Sequence, residues 1–183
     1  MPKATNSGTI TFGLVTVPVK FYTAAKSDGI SFNMLTPKGN PVKQHMTDAK
    51  TGETVTKGEC DKGYKVAKDQ WVKFTAEELD KLTPEASKAV EIREFIKTNE
   101  LNPLAVDKTH YLGPGPGGEK SYGLLSQVME EEDVVAIATW TNRTKDHLVA
   151  IAPYKNEGVR GLILHELYYE SEIRPFADIG VSN

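Results

Sequence analysis

Eight lysines fall between residues 38 and 73, at positions 38, 43, 50, 57, 62, 65, 68 and 73, against five acids at 48, 53, 59, 61 and 69. That surplus of +3 sits in a chain of 183 residues whose formal net charge is −3. Ammonium groups spaced along a polar segment can neutralise the charges of a polyanion without demanding fixed geometry. The opposite sign lies downstream: residues 74–107 carry four basic and eight acidic groups, and 119–133 carry one lysine and five acids. Separated signs let one surface attract a polyanion while the rest repels it. A solvated lysine-rich loop without a partner would show the same charge pattern.

Other residues could do chemistry only in the wrong company. Gly113-Pro114-Gly115-Pro116-Gly117-Gly118 has the outline of a phosphate-cradling G-x-G-x-x-G. Such a cradle needs free backbone N–H groups, and Pro114 and Pro116 each remove one. Glu119 then puts a carboxylate where phosphate would sit, so a turn leading into a helix is expected. His165-Glu166 begins like a zinc-peptidase motif, but Tyr169 stands where the second histidine belongs. The pair is expected to face outward from a strand. His45, His110 and His147 lie in separate segments and are expected at the surface or at strand edges. Cys60 is the single cysteine, which excludes an internal disulfide and a cysteine-based metal site. Trp71 and Trp140 are expected to pack in the core. No catalytic constellation emerges, and no cofactor or metal is expected.

The elements that position the lysines follow from periodicity. Thr9–Tyr22 is rich in β-branched and aromatic residues and reads as one long strand, interrupted at Gly13 and Pro18. Residues 30–35 read as a short strand. Short strands are expected at 41–46, 53–56, 64–66 and 70–74, with turns at 38–41, 50–52 and 62–63. Thr75 and Glu78 have the capping-box spacing, which predicts a helix over 76–82. Residues 89–96 alternate as a half-exposed strand, 110–112 is a short strand, and 119–131 shows a helical face of Tyr122, Leu125, Val128 and Met129. Three strong strands close the chain at 134–141, 147–154 and 159–169, an antiparallel meander. Many strands with few helices indicate a mainly β chain built as a barrel or closed sheet. Segment 38–73 is too polar for its own core, and loops of that length in a compact domain are usually functional. As a single hairpin its legs would reach about 60 Å. No apolar run approaches the roughly 18 residues that span a bilayer, and no signal region opens the chain, so a cytosolic location without membrane contact is expected.

With these pieces in order, the chain resembles the bacterial Ku family, the DNA-end-binding proteins of non-homologous end joining. The resemblance is carried by Ser7–Tyr22, Ile30–Leu35, Lys62-Gly63-Tyr64 followed by Phe74–Leu79, and Val90-Glu91-Ile92 with Phe95. It continues through Tyr111-Leu112, Lys120-Ser121-Tyr122, Val135–Ala138 and His147–Ala150, covering roughly residues 7–176. It implies a single Ku core domain over 1–183, with a β-barrel from 1–37 and 74–176, an arm over about 38–73, and a short tail at 177–183. It further implies a homodimer whose two arms close a ring around the ends of double-stranded DNA during double-strand break repair. The chain would then be nucleoid-associated and non-enzymatic. Such a ring would hold phosphates rather than base edges and would be indifferent to sequence.

Two departures from the family pattern accompany the resemblance. Some relatives carry C-x-x-C before the glycine matching Gly52, where this chain has residues 48–51 without cysteine. Relatives also continue into a helical, often basic C-terminal region that recruits an end-joining DNA ligase, and this sequence stops at Asn183. On the proposed arm, Lys43, Lys50, Lys57, Lys62 and Lys65 are the expected phosphate contacts, with Lys20 on the long strand and Arg143 at a hairpin tip as additions. The alternative is a protein-interaction module that keeps the barrel and does not bind DNA. A third reading is a nucleotide-dependent enzyme built on the glycine-rich turn.

Overall fold

A computed structural model describes residues 3–25, 29–68, 70–82, 89–142 and 145–180. The chain divides into two compact units, one made of 1–26 with 84–183 and the other of 27–83. The second unit therefore takes in more than segment 38–73.

Seven strands of the first unit form a closed barrel. They are β1 (Asn6–Phe12), β2 (Val15–Thr23), and then, after the elements of the second unit, Ala89–Lys97, Val106–Pro114, Val134–Asn142, Lys145–Asn156 and Val159–Leu167. The second unit holds β3 (Met46–Thr47), β4 (Thr54–Val55), β5 (Lys62–Ala67), β6 (Gln70–Phe74) and helix α1 (Ala76–Leu82). The five later barrel strands are accordingly β7 to β11 in chain order. Helix α2 spans Glu119–Glu131. Around the barrel the order is β1-β2-β8-β11-β10-β9-β7. Neighbours are antiparallel except at the seam, where β1 runs parallel to β7 through Thr9–Ala89, Ile10–Val90 and Thr11–Glu91.

The stretch Thr9–Tyr22 is a hairpin rather than one long strand. Gly13, at φ 56°, takes the first central position of a two-residue turn, where a tight hairpin needs positive φ. Nothing polar marks that turn, since Leu14 is its fully exposed second residue. Pro18 is tolerated because pairing of β2 with β8 begins only at Val19. Its carbonyl accepts the Gly115 N–H at 2.8 Å.

Alternation on β2 buries Val17, Val19 and Phe21, which join Ile10, Val90, Leu112, Val149, Ile151, Leu162 and Leu164 in one core. Trp140 packs there as the sequence indicates, stacked on Phe21 with centroids 4.9 Å apart. The expected short strand at 110–112 extends over nine residues as β8. Residues 30–35 do not form a strand: only an isolated bridge joins Leu35 to Pro41, and Ile30, Phe32 and Met34 are exposed.

Helix α2 is fixed to the barrel by Tyr122. Its buried hydroxyl donates to the Leu112 carbonyl at 2.5 Å and accepts the Leu162 N–H at 2.8 Å. Burial pushes that phenol up from its ordinary pKa, partly opposed by the Leu162 N–H. Leu112 and Leu162 are register partners on β8 and β11, so this hydroxyl completes their ladder. Ser126 adds a bond to the Gly161 carbonyl at 3.0 Å. Of the expected apolar helix face, Tyr122 and Met129 are buried and Leu125 packs on the core, whereas Val128 is exposed. Tyr122→Phe strands the two backbone groups and is expected to cost about 1–3 kcal/mol in urea denaturation. A change below about 0.3 kcal/mol would show that water replaces the hydroxyl.

Candidate nucleic-acid interface

The unit over 27–83 buries none of its described side chains; Val55, Phe74 and Leu79 are half-buried and the other described side chains exposed. Its regular structure comes from local hydrogen bonds and two separate two-stranded sheets, β3–β4 and β5–β6, not from one long hairpin. The Asp48 carboxylate accepts the N–H groups of Lys50 (2.7 Å) and Thr51 (3.0 Å), which hold its pKa below the usual range. Gly52 closes that turn at φ 74°, its N–H on the Asp48 carbonyl. Glu59 accepts the Thr56 N–H and hydroxyl at 2.8 and 2.9 Å, which likewise lower its pKa. The capping box predicted before α1 is formed: Glu78 accepts the Thr75 N–H at 2.9 Å and its own N–H reaches the Thr75 hydroxyl at 3.2 Å.

These turns place the lysines individually. Lys43 lies outside regular structure between the Leu35–Pro41 bridge and β3, Lys50 sits on the Asp48 turn, and Lys57 opens a short 3-10 helix of Lys57–Glu59. Lys62 and Lys65 both lie on β5, three residues apart, so they point to opposite faces. All five are exposed. Lys20 belongs to the barrel unit, half-buried on β2 opposite Ser7 and Gly113. Arg143 lies outside the described residues. Among the expected contacts, then, the structure brings no two onto one face of one element.

The β5–β6 ribbon contains what the sequence reading missed. Trp71 is not in a core; it is 60% exposed, opposite Lys65 in the ladder, and the Lys65 ammonium lies 5.6 Å from its ring centroid. Lys73 shares that face and pairs with Asp61 at 2.7 Å, a hydrogen bond and charge that raise the lysine pKa. The alternation Trp71, Lys73 within a five-residue strand was the available signal.

The glycine-rich turn is occupied by the fold itself. Gly115 donates to the Pro18 carbonyl and Gly118 to the Gly115 carbonyl at 3.0 Å, so both N–H groups are already engaged. A Cβ at either glycine would meet Pro18 at 2.9 or 2.8 Å, which makes the glycines a packing requirement. His165 and Glu166 do not form an outward-facing pair. Glu166 shares the buried side of β11 with Leu162 and Leu164. Its oxygens lie 2.8 Å from His110 Nε2 and 3.4 Å from His147 Nδ1, which places those two histidines beside Trp140 rather than freely at the surface. His165 Nδ1 is 2.8 Å from the Thr109 hydroxyl, and burial lowers its pKa. Among the described residues no group of three or more His, Cys, Asp and Glu side chains could hold a metal ion, and no helix is long and apolar enough to cross a membrane.

Over residues 11–183 the chain matches the family model of the Ku70/Ku80 beta-barrel domain. It is 37% identical over 169 residues to the Non-homologous end joining protein Ku of Koribacter versatilis, covering 92% of this chain and 57% of that protein. The protein of the same name from Archaeoglobus fulgidus is 37% identical over 173 residues, covering 94% and 67%. That from Bacillus subtilis is 31% identical over 174 residues, covering 94% and 55%. The chain thus spans little more than half the length of several relatives it matches.

Proposed function

Because the chain belongs to the Ku70/Ku80 β-barrel family, we propose that it is a non-catalytic clamp on the ends of double-stranded DNA, acting as a homodimer in non-homologous end joining. The relatives' shared name supplies the process. The observation that carries the reading is the unit over 27–83: it is lysine-rich between 38 and 73 and buries none of its described side chains. A segment that buries so little apolar surface gains little to offset its ordering entropy, so a partner surface completes it. Surplus ammonium groups suit phosphate, and exposed Ile30, Phe32 and Met34 suit a second protein copy. Two copies would close a ring through which duplex enters from a terminus, with Lys43, Lys50, Lys57, Lys62 and Lys65 on the phosphates and Lys20 and Arg143 in support.

The test is an equilibrium titration with short blunt duplexes of unrelated sequence. The clamp binds them with affinities within about threefold of one another, since phosphate contacts carry no sequence information. Strong preference for one sequence, or no binding at low salt, would contradict it. One observation favours a second reading, a barrel that binds proteins and not DNA. A groove of about 220 Å³ on the barrel unit is lined by Phe12, Val15, Phe95, Leu124 and Val128, all partly exposed. Absence of duplex binding together with a protein partner seated in that groove would favour it.

A further inference from the structure

The β5–β6 ribbon has two unlike faces. In the antiparallel ladder Lys62 opposes Phe74 and Tyr64 opposes Val72, whereas Gly63 opposes Lys73 and Lys65 opposes Trp71. Directly opposed residues share a face, so Trp71 shares one face with Lys65 across the ribbon and with Lys73 two residues along β6. Gly63 completes that face without a side chain: a Cβ there would already touch the indole at 3.4 Å, so the ring lies over bare backbone. A large indole with one ammonium group 5.6 Å from its centroid and a second lysine two residues along the same face, and open to solvent, forgoes its apolar burial unless a ligand covers it.

We propose that Trp71 is a DNA-contacting residue, its indole packing on a deoxyribose of the duplex backbone while Lys65 and Lys73 take the phosphates on either side. Lys65 across the ribbon from the ring and Lys73 two residues along β6 put an ammonium-bearing side chain on two sides of the indole, as phosphates flank a sugar along a strand. Asp61 holds the Lys73 ammonium on this face until a phosphate replaces it. Contact with sugar and phosphate is blind to sequence, and the inference rests on the duplex binding proposed above.

The chain's two tryptophans make the test direct. Trp140 is 3% exposed and Trp71 60%, so quenching by the neutral quencher acrylamide reports chiefly on Trp71. Saturating wild-type protein with a blunt duplex is expected to abolish most of that quenching. The same titration followed by anisotropy of a labelled duplex gives affinity independently. Trp71→Ala is expected to weaken binding about five- to tenfold, the low end of what aromatic stacking on bases contributes because a sugar offers less surface than a base, and Trp71→Phe about twofold or less. Trp71→Phe also removes the duplex-dependent change in emission. The wild-type quenching measurement does not depend on the folding of either variant. Duplex that binds while leaving Trp71 as accessible as before, with Trp71→Ala binding like wild type, would overturn this inference and leave the clamp standing. Failure of wild type to bind any duplex by anisotropy would overturn both.

Discussion

Changing Lys43, Lys50, Lys57, Lys62 and Lys65 together to glutamine is expected to abolish most of the salt-sensitive affinity for duplex DNA. If these lysines of the two copies together neutralise about five phosphates per complex, log K for wild type falls against log salt with a slope near −4 to −5. Between about 50 and 200 mM salt that amounts to a loss of roughly 10²- to 10³-fold. The substituted chain should show a slope nearer zero and correspondingly weaker binding at low salt. All five side chains are exposed, and such surface substitutions usually change stability by no more than about 0.5 kcal/mol. The barrel's denaturation midpoint should therefore hold, which separates lost contacts from lost fold. An unchanged slope would place the phosphate contacts elsewhere on the chain.

The second large effect concerns the barrel. Trp140 is buried, stacked on Phe21 at 4.9 Å, and bordered by His110 and His147 at 6.2 and 6.0 Å. Trp140→Ala opens a cavity that neighbouring strands of a closed barrel cannot collapse into, because each is pinned by ladders on both sides. The expected cost is about 3–5 kcal/mol, readable as a shifted denaturant midpoint at unchanged m-value. A cost below about 1 kcal/mol would mean that the barrel repacks, contrary to a core of interlocking rings. Trp71→Ala provides the contrast, since an exposed indole contributes little to global stability.

The difference between the two tryptophans shows where sequence reading stops. Trp140 sits in a strand apolar on both alternating sets, so its burial was legible. Trp71 sits in a five-residue strand with two other large apolar residues, Val72 and Phe74; the sheet has only two strands, and no described side chain of its unit is buried. Helix α2 was legible to the residue because the glycine–proline run and the acidic run bracket a 3.6-residue period. The hairpin at Gly13-Leu14 was not, because a hydrophobic turn residue conceals the break. Glu166 was read as outward because its partners, His110 and His147, lie on other strands, and only strand pairing brings them together. For the candidate site, the identity and exposure of the lysines were legible. Their grouping was not, because it depends on pairing across β5 and β6.

The most direct measurement compares one duplex sequence in two forms, linear with blunt ends and covalently closed into a circle, in a binding assay at low salt. A ring that encloses the double helix takes up the linear form and leaves the circle unbound until a single cut by a restriction enzyme restores binding. Equal affinity for the closed circle would show that the chain grips DNA from one side, and the clamp would have to be abandoned.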